Sequence, residues 1–138
     1  MSKILLPVDG SEHGLRAVDE VLRRDHAGLD LHLLSVQLPV DGNVRTFVNA
    51  DDLEAYHREE GLAALSFARL RLDAARIPYH IHVLVGHPAD IICRFAAEQG
   101  CDEIVMGTHG RTGLLQRLMG SVAAEVSAQA KVPVTLVK

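Results

Sequence analysis

Between Gly107 and Ser121 the chain reads GTHGRTGLLQRLMGS: four glycines, two arginines and a histidine, with no carboxylate. Glycine lets backbone N–H groups approach an anion closely, and a helix N-terminus adds unpaired donors and a favourable dipole. The stretch therefore suits a cradle for a phosphate chain, although a solvent loop would tolerate the same composition. Gly120-Ser121 is expected at a helix N-terminus, with Ser121 as cap and its hydroxyl as a further donor. Arg111 suits either a ligand contact or a solvated loop charge. His109 has no partner carboxylate at readable spacing, so it reads as a loop spacer rather than an acid–base catalyst.

The familiar phosphate motifs fail. GxxxxGK[ST] is absent, and Gly107, Gly110 and Gly113 are spaced by three, which is not GxGxxG. A second chemical signal is Pro7-Val8-Asp9-Gly10, which ends an apolar run from Ile4. Asp9 can cap the turn that follows, or it can hydrogen-bond a base amine or ribose hydroxyl. Ser11 already suits the cap, which favours the binding role for Asp9. His80 and His82 share a strand face and can in principle hold a metal, but no third ligand is evident. No metal ligand and no catalytic residue is assigned. Cys93 and Cys101 match no CxxC pattern and read as reduced thiols.

These residues need elements to position them. Ile4–Val8, Leu31–Val36, Glu103–Met106 and Val132–Val137 are short apolar runs that read as strands, and the continuity of the first implies cover on both faces. Tyr79–Val85 alternates, with Tyr79, Ile81, Val83 and Val85 on one face, as expected near a sheet edge. Helices are expected after Ser11, from about Asp51 to Arg76, after His87-Pro88 and after Ser121. The long one has an approximate stripe of Leu53, Tyr56, Ala63, Phe67, Leu70 and Ala74, with Gly61 as a candidate bend. Residues 38–50 read as a long loop. The alternation implies an open parallel sheet with helices on both faces, the α/β class, whose ligands sit at the carboxyl ends of strands.

The whole chain sets the outer limits. Its 138 residues suit one domain, 1–138, and 48% apolar content excludes a disordered chain. A net charge of −4 argues against a general nucleic-acid partner. No run approaches the ~18 apolar residues of a membrane span, and MSKILLPVDG does not read as a signal peptide. A cytoplasmic location is expected.

Gly107-Thr-His-Gly110, nine residues, then Gly120-Ser121 matches G-x2-G-x9-G-[ST], the ATP-binding signature of the universal stress protein family. The resemblance extends over the chain through ILLPVDGSE, VLVGHPADII, IVMGTHGRTG and VPVTLV. It implies a Rossmann-like, adenine nucleotide α-hydrolase-like fold: five parallel strands in order 3-2-1-4-5, with the first and fourth as neighbours. It also implies ATP, with Mg²⁺, as the cofactor. Pro7, Val8, Asp9 and Val36 match positions around the adenine; Met106 and Gly107 match positions along the ribose and phosphates. Gly110, Gly120, Ser121 and Val122 match the phosphate shell, and His109 and Arg111 lie in the same loop. Family members often form homodimers through the last strand, here Val132–Val137. Related α-hydrolases carry an SGGxDS-type loop after the first strand, where this chain has PVDGSEHG. A nucleotide-dependent stress-response or signalling module is therefore expected, ahead of a slow ATP hydrolase or adenylating enzyme and of a nucleotide-free dimeric scaffold.

Overall fold

A computed structural model of the chain describes residues 2–24, 27–40, 49–108 and 114–138, with only the helical backbone described for 114–120. The elements are β1 (Ser2–Pro7), α1 (Glu12–Leu22), β2 (Leu29–Gln37), α2 (Ala50–Ala74), β3 (His80–Val85), α3 (Pro88–Glu98), β4 (Glu103–Gly107), α4 (Leu114–Gln129) and β5 (Val134–Val137). The strands form one sheet in the order β3-β2-β1-β4-β5, parallel throughout. The order reverses beside β1, which pairs with β2 on one side and β4 on the other.

The apolar runs form strands because both faces of the sheet are covered. One face packs Ile4, Leu6, Leu31, Leu33 and Val105 against Val18 and Val21 of α1 and Leu65, Ala68 and Leu72 of α2. The other packs Leu5, Leu34, Ile104 and Met106 against Ile92 and Phe95 of α3 and Ala123 and Val126 of α4. Ile4, Leu5 and Leu6 are all fully buried, so adjacent residues of β1 feed two separate cores. At about 1.5–3 kcal/mol per buried aliphatic side chain, these two layers supply the main driving force for the sheet. As its alternation predicts, β3 lies at an edge and is only partly buried. Among the described residues no helix is long and apolar enough to cross a membrane.

Two expectations for α2 are corrected. The expected stripe faces outward: Tyr56, Phe67 and Leu70 are more than half exposed, while His57, Gly61, Leu65, Ala68 and Leu72 face the sheet. Helical spacing is satisfied by both sets; small size decides, because close packing on β3 favours Gly61 and Ala68 over bulky groups. Gly61 marks close approach to β3, a role the expected bend did not include. A Cβ there would lie 2.3 Å from Val83 Cγ1. The helix start is set by Asn49, whose side chain accepts the Asp52 N–H at 2.7 Å.

The start of α4 is corrected as well. It begins at Leu114, so Gly120 and Ser121 lie inside the helix, not at its N-terminus. LLQRLM is built of good helix formers, and the cost of an interior glycine, about 1 kcal/mol, is too small to interrupt them. Backbone N–H groups at 120–121 are thereby drawn into helical hydrogen bonding instead of standing free for an anion.

Candidate functional site

Beside the switch in strand order, the carboxyl ends of β1, β2 and β4 open onto a crevice of about 390 Å³. Its walls come from five parts of the sequence, four of which hold predicted residues. Pro7, Val8 and Asp9 contribute from the end of β1, Val36 from β2, Met106 from β4, and Ser121 and Val122 from α4. Seven of the sequence-predicted residues thus meet in one cavity. The volume is within the range of small-molecule sites, roughly 300–1,000 Å³.

The lining is mainly apolar, with a few polar groups at defined places. Val8 and Met106 are buried by the same cores that hold the sheet. Asp9 spends one carboxylate oxygen locally: Oδ1 accepts the Ser11 N–H at 2.9 Å, bracing the turn into α1. Ser11 occupies the N-cap position with extended backbone, yet its hydroxyl makes no capping bond. The local brace expected of Ser11 thus comes from one oxygen of Asp9. The Ser11 hydroxyl is buried and has no hydrogen-bond partner among the described residues.

Gly107 closes β4 and is not a lining residue of the crevice. A Cβ there would lie 1.9 Å from the backbone oxygen of His13, so α1 rests directly on this residue. Close packing is sufficient reason for glycine at this position. His109, Gly110 and Arg111 lie outside the described residues, and Gly120 is described only as part of the α4 backbone.

Sequence reasoning missed Leu34, Leu38, His87, Pro88, Ile92 and Glu125, all of which line the crevice. His87 and Glu125 meet across it, Nε2 to Oε2 at 2.8 Å. The hydrogen bond to Glu125 raises the His87 pKa above its ordinary value. No spacing rule links residues 38 apart; only the packing of α3 against α4 brings them together. His87-Pro88, singled out as a helix start, was nevertheless a usable signal.

A second hollow, about 480 Å³, lies between α2 and β3 and includes Leu53, His57 and Val83 in its lining. It is larger, but it gathers none of the predicted residues. The switch-point crevice is therefore the candidate site, on the chemistry of its walls and its place in the sheet.

A polar cluster occupies the opposite ends of β2 and β3. His32 pairs in register with His80, and their rings stack 4.7 Å apart. His32 Nδ1 lies 2.9 Å from His82 Nε2, and Asp30 Oδ1 lies 3.0 Å from His32 Nε2. Burial lowers the pKa of both His32 and His82, with Asp30 opposing the shift at His32.

The comparisons agree with this architecture. The universal stress protein family matches residues 1–138. Universal stress protein MJ0531 of Methanocaldococcus jannaschii is 33% identical over 144 residues, 99% of this chain and 81% of that protein. The structure of hypothetical protein MJ0577 of the same organism superposes with a TM-score of 0.78 at 29% identity, covering 99% of this chain and 95% of the other. A universal stress protein solved in complex with cAMP gives a TM-score of 0.74 at 28% identity, covering 99% and 97%. With the 3-2-1-4-5 sheet, the switch-point crevice and a match along the whole chain, the protein belongs to the universal stress protein family.

Proposed function

We propose that the crevice holds ATP, accompanied by Mg²⁺ on its phosphates, and that the protein is a nucleotide-dependent stress-response module of the cytoplasm. One observation carries the reading: Pro7, Val8, Asp9, Val36, Met106, Ser121 and Val122 converge on one cavity at the switch point. Adenine has two apolar faces and a polar edge. Val8, Val36 and Met106 suit the faces, and the Asp9 carboxylate suits an exocyclic amine or a ribose hydroxyl. Ser121 offers a hydroxyl toward the phosphates. His109, Gly110 and Arg111 are assigned to the phosphate end on the strength of the glycine signature. Gly120 serves there by its lack of a side chain, since its N–H lies within α4, and Gly107 supports that end from beneath. The relative solved with cAMP, at 28% identity, supports an adenine nucleotide as the ligand class.

The second element of the proposal is a homodimer through the segment Val132–Val137. Ile104 N–H donates to Pro133 and Thr108 N–H to Val137, so those residues of the β5 region face β4. By alternation, the backbone groups of Val134 and Leu136 point to the open edge. Leu136→Pro removes one edge donor without touching β4 and is expected to give a monomer by light scattering.

The test of ligand binding has two stages. Purified protein is heat-denatured and the supernatant analysed by mass spectrometry, and the nucleotide-free chain is then titrated with ATP and Mg²⁺ by calorimetry. Saturable 1:1 binding is expected, weakened at least about tenfold, or 1.4 kcal/mol, in Val36→Asp. Absence of saturable binding to ATP, ADP, AMP and cAMP would falsify the proposal. Turnover above about 1 per second, ordinary for a dedicated enzyme, would replace a binding module with a catalyst.

A further inference from the structure

We propose that Asp30, His32 and His80 form a binding site for a borderline divalent metal ion of the zinc class, at the amino ends of β2 and β3. Each residue offers one ligand atom, and these atoms all lie within 4.8 Å of one another. His80 Nε2 is 3.6 Å from Asp30 Oδ1, and His32 Nε2 is 3.0 Å from it. Tetrahedral zinc with bonds of about 2.0–2.2 Å holds its ligands roughly 3.3–3.5 Å apart. These two separations bracket that value, the third pair lies within 4.8 Å, and binding requires exposed His80 to turn its ring out of the stack on His32. Two imidazoles and one carboxylate form a donor set that suits zinc and its neighbours better than calcium or magnesium.

The second observation is the state of His32 itself. It is 7% exposed, and its Nε2 lies 3.0 Å from Asp30 Oδ1 without making a hydrogen bond. Leaving a buried polar atom without a hydrogen bond is costly, and coordination would remove that cost. The opposite ring nitrogen is already engaged: His32 Nδ1 lies 2.9 Å from His82 Nε2. When His32 Nδ1–H donates to His82, Nε2 keeps its lone pair available to an ion. Fixing the tautomer of a ligand through its far nitrogen is the usual supporting arrangement in zinc sites. His82 is itself held by Phe95, ring centroids 4.6 Å apart, so the support is anchored in the core of the α3 face.

The surroundings permit an ion to enter. Asp30 is partly exposed and His80 is 66% exposed, so the site opens at the sheet edge. Lys3, in register with Asp30 on β1, is the cation whose charge reaches His32 and His82, and an incoming ion must overcome it. Three protein ligands leave one tetrahedral position open for water or for a donor from another molecule. An ion held there ties the edge strand β3 to β2 across residues that the register alone brings together.

The test uses tag-free, full-length protein stripped with chelator and titrated with Zn²⁺ by calorimetry. Co²⁺ serves as the spectroscopic probe for tetrahedral geometry. One saturable site is expected, weakened at least tenfold by His80→Ala and by Asp30→Asn, both checked for native circular dichroism. His80 is exposed, so its removal leaves the fold intact and keeps the test decisive. In histidine NMR spectra, Zn²⁺ is expected to move the His32 and His80 signals. The proposal is overturned by no saturable binding, by affinity unchanged in both variants, or by affinity lost in Glu125→Gln instead.

Discussion

The two ends of β2 are built by different means. At its carboxyl end, Val36 meets residues from β1, β4, α3 and α4, and the crevice exists only because the strand order reverses there. At its amino end, Asp30 and His32 meet His80 and His82 from the adjacent strand, and the cluster exists because of register. The first arrangement depends on topology; the second would be lost by a slip of one residue, which turns every side chain of β3 to the other face. Titration behaviour divides in the same way. Exposed His87 is stabilised as a cation by Glu125, whereas buried His32 and half-buried His82 resist protonation.

The largest expected effect strikes the carboxyl end. Gly107→Ala places a methyl group against the backbone oxygen of His13, where a backbone cannot yield without shifting α1. A loss of about 3 kcal/mol or more is expected in urea unfolding. A loss below about 1 kcal/mol would show that α1 does not rest on β4. Next comes a crossed measurement on both ends. Val36→Asp is expected to weaken ATP at least about tenfold and leave Zn²⁺ affinity unchanged, while His80→Ala does the reverse. Sites this far apart on a strand, roughly 13 Å from residue 32 to residue 36, should behave additively. Coupling above about 0.5 kcal/mol would dissolve the division between the two ends.

Ser121→Ala is a smaller change. One hydroxyl hydrogen bond is worth about 0.5–1.5 kcal/mol, so ATP affinity is expected to fall by roughly 2- to 13-fold. An unchanged Kd would move the phosphates away from α4. The subtlest measurement is an NMR titration of the histidines in metal-free, nucleotide-free protein. His87 is expected to titrate above the ordinary imidazole range and to return toward it in Glu125→Gln. His32 and His82 are expected below that range. The stability consequences have opposite signs. The His87–Glu125 contribution is present at low pH and is lost as pH rises through the folded value. The buried pair costs stability as pH falls through the unfolded imidazole value, because the unfolded chain then binds protons that the fold resists.

Much of this architecture was legible in sequence because its signals are local. Continuous apolar runs marked the inner strands and alternation marked β3 as an edge, whereas the strand order, and with it the switch point, came from the family resemblance. The failures share a cause in distance and in size. The inward stripe of α2 passes through Gly61 and Ala68, whose value lies in being small against β3, and hydropathy does not report that. His87 and Glu125 join across 38 positions, and Asp30 and His32 stand some fifty residues before His80. The missing third metal ligand was thus present in the chain all along, on a strand read only as core. The helix at Leu114 was passed over because glycine at 120 was given the weight of a boundary.

The seam between β1 and β4 has a consequence for how the molecule is made. Lys3 N–H is hydrogen-bonded to Asp102, 99 residues later, and Ile4 pairs with Glu103. At a synthesis rate of roughly 5–20 residues per second, β1 waits on the order of 5–20 s for its second neighbour. During that interval β1 and β2 can pair, but one buried edge of the central strand stays open and sticky. The crevice cannot exist until the seam closes. A nascent chain of this protein is therefore without the crevice until most of its length has left the ribosome, and a truncation before β4 cannot form it in part.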